Sequence, residues 1–362
     1  MTKFLSSTEY LYPPRGGGEH ALRNLLLELE ERGHETVALH NGEEDPEIED
    51  YTAGAADIPG GWTRNFIQSV QWGRKLSRVI EKEEPDYVVT QLGLAPVTQK
   101  ICEKRGVPCI ILLIDYSHLC IERFAGGEVE QHSCLRESGL KFKWQYPFYY
   151  SIKKNFEEAL RNAEHVFSNS EYMKEKTEQF LGVETEVLYP PIDYTEAEAE
   201  GTGEHITMIN PSKYKGGEIF AEVAREMPEE NFLALGSGEK DVQQKLEGLE
   251  NVETVEHVDK IKQIYSRTKL LLVPSQWPEP FGMVAPEAMH NKIPALVSGT
   301  GGLPEAAGLE ELQVENFQDP KAWKQKIQSK EWKLKQEYRE HSEKFSAEKI
   351  TEQFLRKIGE KS

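Results

Sequence analysis

The chain has 362 residues, of which 38% are hydrophobic and 29% charged, a balance that is typical of folded globular proteins and excludes collagen-like or disordered chains. Its length exceeds what one hydrophobic core usually organises, so two domains are expected. The 43 basic and 62 acidic residues give a net charge of −19, which repels polyanions and argues against a nucleic-acid partner.

The sequence shows neither a membrane-spanning segment nor a secretory signal. Its longest strongly apolar run, Cys109 to Ile114, is far shorter than the ~18 residues that suggest a transmembrane helix. The segment Met1 to Ser7 lacks the apolar stretch and the cleavage site of a signal peptide. A cytoplasmic location is therefore expected.

The first half of the chain alternates short apolar runs with longer amphipathic stretches, which is typical of βαβ units and a mainly parallel sheet. The predicted strands are Lys3–Ser7, Thr36–His40, Asp86–Thr90, Pro108–Ile114, His165–Ser168 and Glu184–Leu188. Between the first two, apolar residues at helical spacing predict a helix that ends near Gly33. We interpret residues 1–193 as one Rossmann-like domain.

An acidic, aperiodic stretch over residues 194–204 is interpreted as a linker, after which the alternation resumes. The strands predicted beyond it are His205–Ile209, Asn231–Leu235, Asn251–Val255, Leu270–Pro274 and Pro294–Ser298. Residues 205–332 are therefore interpreted as a second doubly wound domain. The highly charged segment 333–362 predicts a helical tail, and packing of this tail on the first domain is one arrangement we consider.

The most informative motif lies between Leu270 and Met289, where a buried strand leads into a proline-rich loop. Gly282 is predicted to open a helix whose first amides have no partner within the helix. Ligands of open α/β sheets bind beyond the carboxyl ends of the strands, so a diphosphate fits this position. Glu279 and Glu287 flank the helix start and can accept hydrogen bonds from sugar hydroxyls. A capped surface helix beside a proline loop is the alternative.

This Glu-Pro-Phe-Gly-x-x-x-x-Glu motif, which begins at Glu279, closely resembles that of the retaining glycosyltransferases of family four, also called glycosyltransferase group 1. The resemblance implies the GT-B fold, in which two Rossmann-like, doubly wound parallel-sheet domains face a central cleft. It implies that residues 1–193 form the acceptor-side domain and that residues 205–332 form the domain that binds the nucleotide-sugar donor. It implies that the transferred sugar is held by Glu279 and the amides of Phe281 and Gly282, the diphosphate by the amides of Met283 and Val284, and the ribose hydroxyls by Glu287.

Further segments fall in the order expected of that family: Ser168–Tyr172, Leu188–Asp193, Leu235–Glu239 and Gly299–Glu305. Gly236, within the third of these, is a candidate donor-binding residue. A run of glycines after the first strand matches the family's Gly-Gly pair, which touches the diphosphate or the acceptor, so Gly17 and Gly18 are candidates as well. An ordinary tight loop is the alternative for these glycines.

Lys215 takes the position of the lysine in the family's Arg-to-Lys-Gly segment, where it would stabilise the leaving diphosphate. The expected arginine is absent, since Asn210 or Pro211 stands in its place, and whether Lys213 substitutes for it is left open. Both lysines could instead be solvated surface residues. The chain contains no Asp-x-Asp motif, so donor binding is expected to need neither a metal nor another cofactor.

Members of the family often supply a histidine to the reacting sugar from the first domain, after the strand that corresponds to Val107–Ile114. Here the sequence continues Asp115-Tyr116-Ser117-His118. Either Asp115 takes that position or His118 reaches back, and Asp115 is preferred because it follows the strand directly. Glu279, Lys215 and these two residues form the predicted catalytic set.

Two other patterns in the first half are open to more than one interpretation. A repeated His-x-Cys pair, made by His118 with Cys120 and by His132 with Cys134, offers four ligands for a structural zinc, with reduced loop cysteines as the alternative. Aromatic and basic residues are mixed in the segments 62–78 and 141–154, which suggests contact with an anionic membrane. Packing of these aromatic residues inside the domain is the alternative.

The sequence therefore predicts a metal-independent retaining glycosyltransferase. It would move a hexosyl group from a nucleoside diphosphate sugar to a hydroxyl acceptor, which is a glycan, a lipid-linked molecule or a small molecule. The alternatives are a GT-B-fold isomerase, such as a UDP-sugar 2-epimerase, and a non-catalytic sugar-nucleotide-binding protein. The base, the sugar, the acceptor and the oligomeric state are not determined by the sequence.

Overall fold

The structure, a computed structural model, describes residues 1–53, 61–116, 124–125, 128–129, 154–199, 203–332 and 337–360. The chain divides into two compact units. The first contains the described residues up to 116, then 154–191 and 347–360; the second contains the described residues from 192 to 346 together with the short pairs near 124 and 128.

The first unit is built on a parallel sheet with the strand order β3-β2-β1-β4-β5-β8-β9. Its strands are β1 (Lys3–Ser7), β2 (Glu35–His40), β3 (Glu49–Thr52), β4 (Tyr87–Gln91), β5 (Cys109–Leu113), β8 (His165–Ser168) and β9 (Glu186–Val187). The intervening β6 (Phe124–Ala125) and β7 (Glu128–Val129) form a separate antiparallel pair. Every pairing in the seven-stranded sheet is parallel, as the alternating pattern of the sequence predicts.

The helices of the first unit are α1 (Gly17–Glu31), α2 (Gly61–Glu83), α3 (Ala95–Arg105), α4 (Glu171–Leu181) and, from the end of the chain, α12 (Ala347–Lys357). Residues 154–162 are also helical. The ring of Phe354 on α12 lies 5.9 Å from the rings of both Phe4 and Phe167, and all three side chains are buried. The end of the chain therefore completes the core of the first unit.

The second unit contains a parallel sheet with the order β12-β11-β10-β13-β14-β15. Its strands are β10 (His205–Ile209), β11 (Asn231–Leu235), β12 (Val252–Val255), β13 (Thr268–Val273), β14 (Ala295–Ser298) and β15 (Gln313–Val314). Its helices are α5 (Gly217–Glu226), α6 (Lys240–Glu247), α7 (Lys262–Tyr265), α8 (Val284–His290), α9 (Leu303–Ala307), α10 (Pro320–Ser329) and α11 (Glu337–Ser342). The prediction of two Rossmann-like α/β domains is confirmed.

The start of the predicted linker is packed against the second unit. Tyr194 and Ala197 are both buried. The side chain of Asn291 donates to the carbonyl of Ala197 and accepts from the amide of Ala199, at 3.0 and 2.7 Å. The composition of this stretch concealed these contacts, because they come from a residue about ninety positions further along.

The predicted tail over residues 333–362 is divided between the two units. Helix α11 belongs to the second unit and α12 to the first. Just before α12, Ser346 forms a bridge with Ile192, and the amide of Ile192 donates to the carbonyl of Phe345 at 2.9 Å. Among the helices that the structure describes, none combines the length and the apolar composition needed to cross a bilayer.

Candidate functional site

The loop between β13 and α8 places Glu279 at the centre of the candidate site. The Glu279 side chain is buried, and its Oε2 accepts a hydrogen bond from Lys215 Nζ at 2.6 Å. Its Oε1 accepts from the hydroxyl of Ser275, which is also buried. The Lys215 side chain is 30% exposed, so its ammonium group remains accessible to an anion from solvent. The structure thus brings together two of the residues predicted to act on the donor.

A tight turn after β14 supports the Glu279 loop through its backbone. The amide of Gly302 donates to the carbonyl of Glu279 at 2.7 Å. Gly301 has a φ of +66°, and a Cβ added there would lie 2.4 Å from the same carbonyl oxygen. A Cβ at Gly302 would lie 2.2 Å from the carbonyl oxygen of Pro280. Only residues without a Cβ allow the two loops to approach this closely.

Helix α8 begins at Val284, two residues later than the sequence predicts. Gly282 has a φ of +98°, which a helix cannot contain, and a Cβ there would lie 2.4 Å from Leu303 Cδ2. Gly282 is therefore the sharp turn that leads into the helix rather than its first residue. Phe281 is buried, and its ring packs edge-to-face on Phe345 at 5.0 Å.

Glu287 lies on α8 in a setting that differs from that of Glu279. Its Oε2 accepts a hydrogen bond from the hydroxyl of Tyr265 at 2.8 Å, and the Tyr265 side chain is fully buried. Burial raises the pKa of the Glu287 carboxyl to about 7, and the hydrogen bond from Tyr265 opposes part of that rise. The residue as a whole keeps an intermediate exposure, so a ligand can reach it. Sequence reasoning missed Tyr265, because no motif marks it.

The other predicted donor residues of the second unit lie around the carboxyl ends of β10 and β11. The Lys213 ammonium pairs with Asp241, and its backbone amide donates to Glu239 Oε2 at 2.8 Å. Asp241 raises the pKa of Lys213 through this contact. Lys213 is thus directed toward α6, and its substitution for the missing arginine stays a prediction. Gly236 turns the chain after β11 with a φ of +97°.

In the first unit, the glycine loop and Asp115 lie at the same edge of the sheet. Helix α1 begins at Gly17, and a Cβ at Gly18 would lie 2.5 Å from Ile114 Cδ1. The side chain of Gln91 donates to the carbonyl of Gly18 at 2.8 Å. The side chain of Asn169 donates to the carbonyl of Ile114, the residue before Asp115, at 3.2 Å. Neither Gln91 nor Asn169 was predicted, since each acts through contacts that only the fold creates.

Several sequence predictions concern residues outside the described part of the chain. They include His118, Cys120, His132 and Cys134, so the proposed zinc ligands and the second candidate for the family histidine stay predictions. Within the described residues, no group of three or more histidine, cysteine, aspartate or glutamate side chains is placed to hold a metal.

The aromatic and basic stretch along α2 does not present all of its aromatic residues to solvent. Trp72 is buried, and its indole nitrogen donates to the Ser7 hydroxyl at 2.9 Å, whereas Arg74 and Arg78 are exposed. Packing inside the unit therefore explains Trp72. The side chains of residues 61–68 and the segment 141–153 lie outside the description.

The sequence of the chain matches two families of known proteins. Residues 15–196 match the family described as Glycosyltransferase Family 4, and residues 205–329 match the family described as Glycosyl transferases group 1. No protein with a curated description matches the chain in sequence.

Solved structures that resemble the chain agree over nearly its whole length. A sucrose-phosphate synthase from Thermosynechococcus elongatus has a TM-score of 0.77 at 16% identity, covering 98% of both chains. A glycosyltransferase from Rickettsia africae has a TM-score of 0.72 at 15% identity, covering 99% of this chain and 97% of its own. HepE from Anabaena, solved in complex with UDP-glucose, has a TM-score of 0.68 at 17% identity, covering 98% and 95%. At these identities the likeness shows the fold, which is the predicted GT-B fold.

Proposed function

The chain belongs to Glycosyltransferase Family 4, and from that premise we propose that it transfers a hexosyl group from a nucleoside diphosphate sugar to a hydroxyl acceptor with retention of configuration. The observation that carries the proposal is the contact between Lys215 and Glu279, a cation and a carboxylate 2.6 Å apart beside the turn at Gly282. The Lys215 ammonium can bind the leaving diphosphate, and the Glu279 carboxylate can accept hydrogen bonds from the hydroxyls of the sugar.

Lys215 supplies the positive charge that the reaction needs. As the bond to the sugar breaks, negative charge develops on the diphosphate oxygen, and a fixed ammonium group stabilises it without rearrangement of the site. This ammonium is paired with Glu279, so a bound diphosphate offers it a second anionic partner. With a lysine in this role the reaction requires no metal ion, which is a further part of the proposal.

Glu279 and Glu287 serve different parts of the donor. The Glu279 carboxylate, fixed by Ser275 and by the backbone contact from Gly302, would accept hydrogen bonds from the hydroxyls of the transferred sugar. Glu287, eight residues later on α8, would accept from the ribose hydroxyls. The groups that bind the donor are therefore held in place before the donor binds, and they position its sugar for reaction.

The donor assignment is consistent with what is printed of a structural relative, since HepE from Anabaena was solved with UDP-glucose. Retention of configuration rests on the resemblance of the Glu279–Glu287 motif to the retaining family. In the first unit, we assign Asp115 to the reacting sugar and the Gly17–Gly18 loop to the diphosphate or the acceptor.

The test begins with the melting temperature of the protein in the presence of a panel of UDP- and GDP-sugars, because a ligand that binds the native state raises it. The stabilising donor is then incubated with candidate acceptors in EDTA, and the product anomer is read by NMR. A retained anomer formed in EDTA supports the proposal, and Glu279→Gln should abolish turnover. Release of an epimerised sugar nucleotide without any acceptor would instead identify an isomerase, and an inverted product would refute retention.

A further inference from the structure

The two carboxylates of the candidate site are held in opposite electrostatic settings. Glu279 is neutralised by the Lys215 ammonium at 2.6 Å. Glu287 has a neutral phenol at 2.8 Å as its hydrogen-bond partner, and within the described residues no lysine or arginine forms an ion pair with it. A carboxylate that is withdrawn from water without a cation beside it is more easily protonated.

Tyr265 is built into the fold at a fixed position behind this carboxylate. It is the last residue of α7, its side chain is fully buried, and its amide donates to the carbonyl of Ile261 at 3.2 Å. Burial raises the pKa of the Tyr265 phenol well above its usual value, so the hydroxyl keeps its proton and acts as a donor. The tyrosine thus holds one carboxylate oxygen in place by a bond that stabilises the ionised form.

The titratable side chains beside Glu287 include Tyr194, whose phenol interacts with the Glu287 carboxylate, and His290, one turn later on α8. Tyr194, from the segment after β9, is buried and donates its hydroxyl to the carbonyl of Ser342 at 2.6 Å. Its ring stacks on His290 of α8 at 4.0 Å, and burial lowers the pKa of that histidine. On α11, the guanidinium of Arg339 contacts His290 at 3.4 Å, Glu198 at 3.6 Å and Glu343 at 3.6 Å. Burial and the hydrogen bond from Tyr265 therefore determine the pKa of Glu287.

We propose that Tyr265 is a positioning residue that holds the Glu287 carboxylate ready for the ribose hydroxyls and sets the pH below which the donor binds weakly. The inference rests on the proposed function, since it assigns Glu287 to the ribose. A ribose hydroxyl donates a hydrogen bond to an ionised carboxylate, whereas a protonated carboxyl offers one acceptor fewer and adds a competing donor. Donor affinity should therefore follow the ionised fraction of Glu287.

The expected size of this effect follows from the pKa of about 7 for Glu287. If the ionised form alone binds the donor, the apparent Kd rises about tenfold between pH 8 and pH 6, because the competent fraction falls by that factor. Loss of the hydroxyl of Tyr265 removes a bond to the ionised form, so the midpoint of the profile should move to higher pH by roughly half a unit to one unit.

The experiment measures the Kd of UDP-glucose and of GDP-mannose by calorimetry from pH 5.5 to pH 9 for the wild type, Tyr265→Phe and Tyr338→Phe. A sugar nucleotide is the right probe, because a free nucleoside diphosphate has a terminal phosphate that itself titrates near pH 6. Tyr338 is the matched control, since it is also fully buried in the second unit but donates to the carbonyl of Trp332 at 2.8 Å.

The inference predicts a displaced midpoint for Tyr265→Phe, recovery of its affinity at high pH, and a wild-type midpoint for Tyr338→Phe. Glu287→Gln should bind more weakly at pH 8 but show no step near pH 7. A Tyr265→Phe variant that is weaker by the same factor at every pH would overturn the inference, because the tyrosine would then act on packing alone. If neither sugar nucleotide binds the wild type at any pH, the proposed function itself fails.

Discussion

Replacing Gly301 by alanine tests whether the Glu279 loop and the turn after β14 must meet backbone to backbone. The added Cβ would lie 2.4 Å from the carbonyl oxygen of Glu279 and 2.6 Å from the backbone nitrogen of the same residue. An ordinary contact needs at least 3.4 Å, so the Glu279 main chain must retreat by about 1 Å. A misplacement of that size at a reacting centre can lower the rate by about 100-fold. We expect kcat/KM to fall by that order.

The control is Gly33→Ala, which shares the backbone conformation but not the crowding. Gly33 has a φ of +81° and no atom within 4 Å of an added Cβ. Its substitution should cost about 1–2 kcal/mol of stability, the usual cost of the left-handed region for a residue with a Cβ. Gly301→Ala bears the same conformational cost in addition to the clash. Steady-state kinetics and urea denaturation of both variants decide the matter: equal losses of stability and unchanged kcat/KM for Gly301→Ala would refute the argument.

Three other predictions concern single groups of the site. Lys215→Met should lower kcat/KM by about 100-fold or more, because it removes the ammonium group beside Glu279. Lys213→Met should change kcat/KM by no more than a few-fold, because the Lys213 ammonium pairs with Asp241. Similar losses of activity in both variants would contradict the assignment. Gly18→Ala should weaken activity by pressing on Ile114 Cδ1, and the double variant with Ile114→Val should recover it, since valine lacks that atom; no recovery in steady-state assays would count against this packing. Glu287→Gln should raise the melting temperature of the ligand-free protein at pH 8 but not at pH 4.5. The folded pKa of about 7 exceeds the ordinary value of 4.5, so the stability that the protonated carboxyl contributes to the wild type is lost as the pH rises from about 4.5 to about 7, and a melting difference independent of pH would refute this.

The strand pattern was predictable wherever apolar alternation was strong. The bounds of β1, β8, β10 and β11 agree with the sequence prediction residue for residue. Four of the described strands were missed, namely the antiparallel pair β6 and β7 and the edge strands β3 and β15. The two edge strands are four and two residues long, and β3 consists of Glu-Asp-Tyr-Thr, which carries no apolar run. Such edge strands form because their backbone hydrogen-bonds to a neighbouring strand, and the presence of that neighbour cannot be predicted from the sequence of the edge strand itself.

The candidate site was predictable where a motif fixes the spacing and not where the fold brings distant residues together. Glu279 lies on the loop that leads into the helix of Glu287, so the eight-position spacing in the sequence fixes how far apart the two residues lie. Lys215 reaches Glu279 across 64 positions, and only the family resemblance indicated it. Tyr265 lies on a four-residue helix without any motif, so its contact with Glu287 could be found only from coordinates.

The opposite settings of the two carboxylates bear on how an acidic protein admits an anionic ligand. A net charge of −19 opposes the approach of a diphosphate over long distances. Within the site, however, the charge of Glu279 is cancelled by Lys215, and Glu287 is partly protonated near neutral pH. The two carboxylates therefore add little repulsion to an approaching anion. Under the proposed function, a bound donor gives Lys215 a phosphate partner and gives Glu287 hydroxyl donors that favour its ionised form, so the charges needed for recognition develop together with the ligand that stabilises them.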